Sequence, residues 1–409
     1  MWLYQLLLTC LKPLLMKKVR RYQKNYVNYR IDEALGHWPE THVGFWLHCA
    51  SVGEVLAAKA LLKSWIVTHP EQKILVTTVT PTGAEQVVKQ FGDAVIHRYL
   101  PMDYPAYVNK ALDKLSCSKM AIIETELWPN LLKRLKEENI PTCVINARMS
   151  EKSANNYKRF SSFSNQLFSL PDLFLAHHPS DAARFKELGA SNVEVSGNIK
   201  FDITPTNDVL ECHWRKTIGK ERFVWVGAST HEGEDEILLS VHKKIKEQFP
   251  TALLILVPRH PERFEAVAEL AKQRFDSVEM RSRNAIEHWC EVDVLIGDSM
   301  GELMHYYQTS DAAFVGGSLI ERGGHNPIEP AVLGKPILIG PHTFNFLEIS
   351  QSLVEEGGAI RVSSTESLVD ALLSLNKRDK CIDVGRRALA YAEKNQGALE
   401  RTLDALNRM

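Results

Sequence analysis

The sequence predicts an α/β protein with two doubly wound domains, each built on a parallel sheet with helices on both faces. Short β-rich runs alternate with longer amphipathic runs from residue 43 onward, which is typical of parallel sheets. A length of 409 residues exceeds what one ordinary hydrophobic core supports. A polar, proline-containing segment at 201–208 separates two series of strands, and we interpret it as the linker between the domains.

The overall composition is that of a folded soluble protein, with 44% hydrophobic and 24% charged residues. The net charge of −1 gives no indication of bulk nucleic-acid binding. Seven cysteines are scattered along the chain and form no C-x-x-C pair. This argues against a disulfide framework or a structural zinc site and favours a reducing compartment.

The first 25 residues differ from the rest of the chain. Residues 2–16 are largely apolar, and a basic cluster at 17–24 follows them, which is the reverse of the order in a secretory signal. Lys12 and Pro13 interrupt the apolar run, which is shorter than the roughly 20 residues that span a bilayer. We predict that residues 1–25 form a membrane anchor helix held at the cytoplasmic face by anionic lipids. The alternative is an ordinary helix packed on the body of the protein.

The alternating pattern defines the elements of both domains. The first domain, 26–205, is predicted to contain strands at 43–49, 73–79, 95–99, 120–125, 141–146, 173–177 and 193–196, with helices at 54–66, 82–90, 128–138 and 180–188. The second, 206–409, is predicted to contain strands at 222–228, 252–257, 278–281, 292–296, 312–316, 336–340 and 359–362. The charged helical stretch at 376–409 is a candidate for packing back on the first domain.

Polar residues follow several strands of the first domain, at the edge where open α/β sheets bind ligands. Glu54 falls in the first turn of a helix, either as a favourable partner of the helix dipole or as a general base. Glu124 and Glu126 alternate after the fourth strand, so both are expected on one side of it. Capping by Glu126 is the alternative to a site role. Lys200 precedes the linker, where it is either solvated or paired with an anionic substrate.

The second domain carries its own polar loops at strand ends. Residues 323–330 (Gly-Gly-His-Asn-Pro-Ile-Glu-Pro) connect a strand to a helix, with Asn326 as its cap, Pro327 at its first position and Glu329 at its third. Glu329 is either part of a capping box or a contact to nucleotide hydroxyls. Residues 228–234 resemble a phosphate-cradling loop, and Arg259 places a cation at the same edge.

Several familiar motifs are absent from the sequence. Residues 228–234 lack both the G-x-G-x-x-G spacing and the Walker lysine. No H-x₃-H or H-E-x-x-H spacing occurs, and the histidines at 231, 260 and 325 are far apart in sequence, so no metal site is expected. A G-x-S-x-G elbow is also missing.

The motifs, taken in order, closely resemble the 3-deoxy-D-manno-octulosonic acid (Kdo) transferases of Gram-negative lipopolysaccharide synthesis. The resemblance covers nearly the whole chain and rests on residues 48–54, 79–83, 124–130, 146–148, 197–202, 229–234, 257–264, 297–303, 323–330 and 340–346. It implies a GT-B glycosyltransferase fold with two Rossmann-like domains facing a cleft, CMP-Kdo as donor, lipid IVA as acceptor, and neither a metal nor another cofactor. It also implies a place at the cytoplasmic side of the cell inner membrane.

The resemblance also implies roles for individual residues. Glu54 is the expected general base, and Glu124 and Lys200 are expected to assist the transition state. The expected CMP contacts are Pro258, Arg259, Met300, Gly301, Glu302, Asn326, Pro327, Ile328 and Glu329. The implied reaction is an inverting transfer, because a single displacement needs one base and one leaving group. A GT-B-like nucleotide-sugar epimerase and an inactive membrane scaffold are the alternatives.

Overall fold

A computed structural model of the protein describes residues 2–283 and 286–409. The chain forms two compact units, the first made of Met1–Asp202 and Gln396–Met409 and the second of Ile203–Asn395. It thus passes into the second unit three residues before the predicted boundary and returns to the first unit near its end. Every predicted strand is present, with ends within two residues of the prediction.

The first unit contains a seven-stranded parallel sheet and a separate pair of short parallel strands, which the sequence pattern did not predict. Its strands are β1 (Thr41–Val43), β2 (Phe45–His48), β3 (Ile74–Thr78), β4 (Ile96–Tyr99), β5 (Leu115–Cys117), β6 (Met120–Ile123), β7 (Thr142–Ala147), β8 (Leu173–Ala176) and β9 (Val193–Val195). The sheet has the order β4-β3-β2-β6-β7-β8-β9, and β1 pairs with β5.

Helices cover both faces of this sheet. They are α1 (Trp2–Asn25), α2 (Ile31–Ala34), α3 (Val52–Ala57), α4 (Lys59–Thr68), α5 (Pro81–Phe91), α6 (Pro105–Leu112), α7 (Pro129–Glu137), α8 (Glu151–Lys158), α9 (Ser161–Phe168) and α10 (Pro179–Glu187). The single helix predicted at 54–66 is instead the pair α3 and α4. They are separated at Ala58, whose ψ of −6° departs from helical geometry.

The second unit repeats this architecture. Its strands are β10 (Val224–Thr230), β11 (Leu253–Pro258), β12 (Val278–Met280), β13 (Val294–Ile296), β14 (Ala312–Val315), β15 (Ile337–Ile339) and β16 (Ala359–Arg361), in the parallel order β12-β13-β11-β10-β14-β15-β16. Its helices are α11 (Asn207–Leu210), α12 (Trp214–Ile218), α13 (Glu234–Gln248), α14 (Phe264–Lys272), α15 (Leu303–Thr309), α16 (Ile328–Val332), α17 (Leu347–Glu355), α18 (Thr365–Leu375) and α19 (Arg378–Lys394).

Both sheets are buried on their two faces. In β2, Phe45 and Leu47 enter one hydrophobic cluster and Trp46 enters the other. Val224 and Trp225 of β10 divide in the same way. Because neighbouring side chains of a strand point to opposite faces, a strand covered on both sides is apolar along its whole length. This explains why these strands form continuous apolar runs in the sequence.

The last helix, α20 (Ala398–Arg408), belongs to the first unit. Ala398, Ala405 and Leu406 are buried in the cluster that also contains Trp65. The carboxylate of Asp202 accepts hydrogen bonds from the amides of Gly397 at 2.6 Å and Leu399 at 2.7 Å. The start of α20 is therefore held by a side chain from the segment where the chain leaves the first unit.

The amino-terminal helix α1 runs without interruption through Pro13 and packs on the first unit. The hydroxyl of Tyr4 donates to Asp103 at 2.8 Å, and that of Tyr104 donates to the carbonyl of Leu8 at 2.6 Å. The side chains of α1 that remain exposed include Leu6, Leu7, Leu11 and Leu14, at 55%, 55%, 37% and 64%. Within residues 2–283 and 286–409, none of the helices has the length and apolar character needed to cross a membrane.

Candidate active site

The proposed catalytic residues of the first unit follow three strands of one parallel sheet. Glu54 comes after β2, Glu124 directly after β6, and Lys200 after β9. Because all pairings in this sheet are parallel, these strands end at the same edge. That edge is where doubly wound sheets bind ligands.

Glu54 is buried, with 8% of the residue exposed. One carboxylate oxygen accepts a hydrogen bond from the amide of Ala50 at 2.6 Å, and the other accepts one from the hydroxyl of Ser51 at 2.9 Å. Burial raises the pKa of Glu54 to about 7, these hydrogen bonds oppose the rise, and the charges of Glu126 and Glu124 add to it. A carboxylate of this pKa can accept a proton near neutrality. The Glu54 carboxylate therefore fixes the loop at Ala50 and Ser51 through these hydrogen bonds, and its pKa still allows it to act as a base.

Glu124 does not continue the strand as predicted. β6 ends at Ile123, and Glu124 has a φ of +59°, in a left-handed region that non-glycine residues seldom occupy. The prediction that Glu124 and Glu126 lie on one side of a strand is therefore wrong. Instead the Glu124 carboxylate lies 3.1 Å from the ammonium of Lys200. Backbone strain of this kind is concentrated at functional sites.

Glu126 does not cap the following helix. The amides of Asn130 and Leu131 at the start of α7 donate to the carboxylate of Asp103, at 2.9 and 2.8 Å. Burial, with the charge of Glu124, raises the pKa of Glu126. Asp103, from a different loop, therefore caps α7 in place of Glu126. Glu126 instead acts electrostatically on Glu54, together with Glu124.

Asn146, near the end of β7, is a residue of this edge that sequence reasoning did not select as a site residue. Its φ is +55°, it is fully buried, and its side-chain oxygen accepts a hydrogen bond from the amide of Ile199 at 3.1 Å. It thereby fixes the backbone immediately before Lys200. The only sequence signal was its place in the short motif at 146–148.

The predicted CMP contacts of the second unit also follow neighbouring strands. Residues 300–302 come after β13, Arg259 after β11, and residues 326–329 after β14. The loop after β10, which contains His231, was not among the predicted CMP contacts and lies between those of β11 and β14. These four strands are adjacent in the order β13-β11-β10-β14 and run parallel. The loops that carry the predicted contacts therefore share one edge of the sheet.

Arg259 and Glu329 interact electrostatically at this edge. The amide of Arg259 donates to the carbonyl of Thr230 at 2.9 Å, which fixes the loop after β11 beside the one after β10. Burial raises the pKa of Glu329 to about 7, while the hydrogen bond from Asn326 and the charge of Arg259 hold it down. Glu329 is thus a desolvated carboxylate whose charge is sensitive to what binds beside it.

The turn before α16 differs slightly from the prediction. The helix begins at Ile328, so Pro327 lies at the cap and not at the first helical position. The side-chain oxygen of Asn326 accepts from the amide of Ile328 at 3.0 Å, and its amide nitrogen lies 3.5 Å from Glu329. Glu329 therefore pairs with a side chain and not with the backbone amide of a capping box.

Residues 300–302 are held by contacts of their own. Arg281 pairs with Glu302 at 3.0 Å, and the hydroxyl of Ser299 also donates to Glu302. Gly301 has a φ of +89°, which glycine adopts without strain, and Met300 is 64% exposed. The ion pair with Arg281 therefore fixes Glu302, whereas Met300 and Gly301 take no part in it.

Glu234, at the end of the loop at 228–234, accepts hydrogen bonds from four backbone amides. The fully buried carboxylate of Glu234 accepts from the amides of His231, Gly317, Ser318 and Leu319, at distances from 2.7 to 3.1 Å. These amides therefore already bind an internal anion. One of these four amides, that of His231, belongs to the loop at 228–234, and the other three belong to residues 317–319. The interpretation of this loop as a phosphate cradle stays a prediction.

Three histidines that are distant in sequence meet at this edge. The Nε2 atoms of His231 and His325 lie 2.8 Å apart, and the His260 ring centroid lies 5.4 Å from that of His231. Separation along the chain gave no reason to expect this cluster. Across residues 2–283 and 286–409, no group of three or more histidine, cysteine, aspartate or glutamate side chains is arranged to hold a metal ion.

Comparison with known proteins identifies the family. Residues 29–203 match the family model described as 3-deoxy-D-manno-octulosonic-acid transferase (kdotransferase). The chain is 40% identical to a 3-deoxy-D-manno-octulosonic acid transferase of Haemophilus influenzae, over 98% of this chain and 95% of the relative. It is 32% identical to the Bordetella pertussis protein of the same name, over 88% and 86%.

Solved structures agree on the fold. Acinetobacter baumannii MurG is similar with a TM-score of 0.58 at 12% identity, over 91% of this chain and 100% of that one. The UDP-GlcNAc 2-epimerase of Neisseria meningitidis is similar with a TM-score of 0.59 at 13% identity, over 90% and 100%. At such identities the likeness concerns the fold alone. The chain therefore belongs to the 3-deoxy-D-manno-octulosonic acid (Kdo) transferase family and is a glycosyltransferase with a GT-B fold.

Proposed function

We propose that this protein transfers Kdo from CMP-Kdo to a sugar hydroxyl of lipid IVA, in lipopolysaccharide biosynthesis, with inversion at the anomeric carbon. The observation that carries the proposal is the environment of Glu54. Its carboxylate is buried, has a pKa of about 7, and is oriented by Ala50 and Ser51. Each of its oxygens accepts one hydrogen bond and keeps a lone pair for a substrate proton.

In the proposed reaction, Glu54 removes the proton of the attacking hydroxyl as that oxygen bonds to the anomeric carbon. The bond from this carbon to the phosphate oxygen breaks, and its electron pair leaves with CMP. One base and one leaving group suffice for a single displacement, and a single displacement inverts the configuration. The partly exposed carboxylates Glu124 and Glu126 support the role of Glu54, because their negative charges raise its pKa.

Glu124 and Lys200 are proposed to assist the transition state. Their ion pair of 3.1 Å holds an ammonium group at the same sheet edge as Glu54. A fixed cation there can stabilise negative charge without reorganising during the reaction. Glu124 restricts where the long lysine side chain can lie, since it is itself fixed by a strained backbone.

The second unit is proposed to bind the donor. Arg259 supplies a permanent cation for the phosphate of CMP, and Pro258 precedes it at the end of β11. Glu329, Asn326 and the exposed Met300–Gly301 turn supply further contacts to the nucleotide. A guanidinium group is suited to phosphate because its N–H groups match the spacing of two oxygens.

Helix α1 is proposed to hold the protein at the cytoplasmic side of the inner membrane, where a lipid acceptor is present. The first part of the helix exposes Leu6, Leu7, Leu11 and Leu14, and the basic cluster at 17–24 follows them. Exposed apolar side chains enter the boundary between headgroups and acyl chains, and lysine and arginine bind anionic headgroups. The hydrogen bonds of Tyr4 and Tyr104 support a helix that stays docked on the first unit.

Mass spectrometry of the lipid product tests this function. Purified protein, CMP-Kdo and lipid IVA are expected to yield lipid IVA heavier by one Kdo residue or a whole multiple of it, with release of CMP. Omission of the protein or of CMP-Kdo should leave lipid IVA unchanged. Unmodified lipid IVA in the complete reaction, with folded protein, would contradict the proposal. An epimerase would instead interconvert a free nucleotide sugar without any acceptor.

A further inference from the structure

The imidazoles of His231 and His325 share a proton in the donor-binding unit. Their Nε2 atoms are 2.8 Å apart, and their ring planes differ by 6°. Two bare ring nitrogens cannot approach so closely, because their lone pairs repel, so one Nε2 carries a hydrogen and donates it to the other. In the neutral pair, one ring then has a bare Nδ1 and the other an Nδ1–H. A further proton would turn the pair into two Nδ1–H donors with one positive charge.

The backbone at Gly317 leaves room for the contact between His231 and His325. A Cβ on Gly317 would lie 3.3 Å from Cδ2 of His325 and 3.5 Å from Cδ2 of His231, and Gly317 has a φ of +69°. The amide of His325 donates to the carbonyl of Gly316 at 3.0 Å. The amide of His231 donates to Glu234. Both histidines are therefore fixed through their own backbones, at the ends of adjacent strands.

Three arginines and a further histidine face the pair. His260, Arg322, Arg263 and Arg259 act on His231, and Arg259 and His260 act on His325. The carboxylates nearby are already engaged, since Glu234 accepts four amides and Asp235 pairs with Arg263. A proton added to the pair would therefore be repelled until an anion enters the site.

The titration of the pair is consistent with this arrangement. Burial is the largest cause that lowers the pKa of both His231 and His325 to about 4, and the neighbouring arginines and histidines contribute to the same shift. Without a ligand the pair is thus uncharged at neutral pH. A bound phosphate would favour the charged form, because a nearby opposite charge raises the pKa of histidine.

We propose that His231 and His325 bind the phosphate of the donor as a pair that takes up one proton when the nucleotide binds. This inference rests on the proposed donor site, because it places the phosphate beside Arg259. The added proton leaves an Nδ1–H on each ring and supplies a positive charge that is absent from the empty site. Because the rings are joined end to end through Nε2, with centroids 5.1 Å apart, the two Nδ1–H groups point apart and one of them donates to the phosphate. Since binding takes up a proton, affinity for the nucleotide should rise as pH falls.

Calorimetric titration with CMP tests the proposal. Binding enthalpy is measured at pH 7 in buffers of different ionisation enthalpy, and the slope gives the number of protons taken up. We expect uptake of about one proton by the wild-type protein and none by His231→Asn or His325→Asn, with CMP binding weakened roughly tenfold in either variant. His42→Asn, at an exposed position of β1, should behave as wild type.

Each other outcome is decisive. Equal proton uptake by wild type and by the folded variants would overturn the role of the pair while leaving the donor site in place. Absence of CMP binding by the folded wild-type protein would overturn the donor site and this inference with it. If an asparagine variant does not fold, the glutamine variant at the same position replaces it, and Glu329→Gln is measured beside it because Glu329 also has a pKa of about 7 at this edge. Proton uptake on CMP binding must be lost in the histidine variant and kept in Glu329→Gln; the reverse result would overturn the proposal.

Discussion

The ammonium of Lys200 lies 3.1 Å from the carboxylate of Glu124, which joins the segment after β9 to the end of β6. The two residues are 76 positions apart in the sequence. Each side chain is partly exposed, at 29% and 39%. The pair is therefore held in place at the sheet edge and remains within reach of a substrate.

Separate and joint removal of this pair tests whether it acts as a unit. We expect Lys200→Met and Glu124→Gln each to lower kcat by about 10²-fold, and the double variant to lose little more, because fixed charges that stabilise a transition state are worth several kcal/mol. The measurement is kcat for Kdo transfer in all four proteins. Lys158→Met, which breaks an exposed ion pair with Glu187, is the control and should keep normal turnover. If the factors by which kcat falls in the two single variants multiply in the double variant, the two residues act independently.

The pH dependence of transfer should follow Glu54. Its pKa is about 7 in the folded protein, against an ordinary value of 4.5. Because the base must be deprotonated, we expect kcat/KM to rise with pH up to about 7 and then to level off. A rise complete by pH 5 would contradict this assignment.

The same shift predicts an effect on stability. Between pH 4.5 and about 7 the folded protein keeps a proton on Glu54 that the unfolded chain has released. Stability therefore falls as pH rises through this window. Chemical denaturation at several pH values should show that Glu54→Gln loses less free energy of unfolding than wild type over this range. Parallel pH profiles for the two proteins would contradict the raised pKa.

The cap that Asp202 forms on α20 should contribute to stability. Asp202→Ala removes the acceptor of the Gly397 and Leu399 amides, and loss of a helix cap costs about 1–2 kcal/mol. Chemical denaturation measures the difference. Asp404→Ala, at an exposed position of the same helix, should change stability by less than about 0.5 kcal/mol. Equal effects of the two substitutions would argue against the cap.

The exposed leucines of α1 should determine vesicle binding. Leu7 and Leu14 are 55% and 64% exposed, and a charge at these positions opposes insertion between lipids. We expect Leu7→Asp with Leu14→Asp to weaken co-sedimentation with phosphatidylglycerol vesicles about tenfold or more. Val67→Asp, at a residue 78% exposed on α4, is the matched control and should bind as wild type. Unchanged binding by the leucine variant would remove α1 as the anchor.

The fold was predictable because its signals are local. The apolar strands, their spacing and the helix-starting prolines at 81, 105, 129 and 179 all lie within short windows of sequence. The positions of Glu54 and Arg259 followed in the same way, since Arg259 directly follows β11 and Glu54 lies in the helix that comes after β2. The break of the predicted helix at Ala58 was not visible, because alanine is a strong helix former and carries no breaking signal.

Contacts between distant segments were not predictable. His231 and His325 are 94 positions apart, and neither belongs to a recognised spacing. Asp103 caps α7 from a loop 27 residues earlier, which displaced the local candidate Glu126. Glu234 accepts hydrogen bonds from the amides of residues 317–319, which lie 83 to 85 positions later in the chain. In each case the order of strands in the sheet determines which distant loops lie side by side, and this order cannot be inferred from the local pattern of a single sequence.

The most direct test of Glu54 as the base is the rate of Kdo transfer to lipid IVA by Glu54→Gln. Glutamine keeps the size of the side chain and can still accept a hydrogen bond, but it cannot take up the substrate proton. With folding and CMP binding intact, we expect the rate to fall about 10²–10⁴-fold, whereas Ser51→Ala, which preserves the carboxylate, should lower it less than about tenfold. Near-normal turnover by folded Glu54→Gln would contradict the assignment of Glu54 as the base.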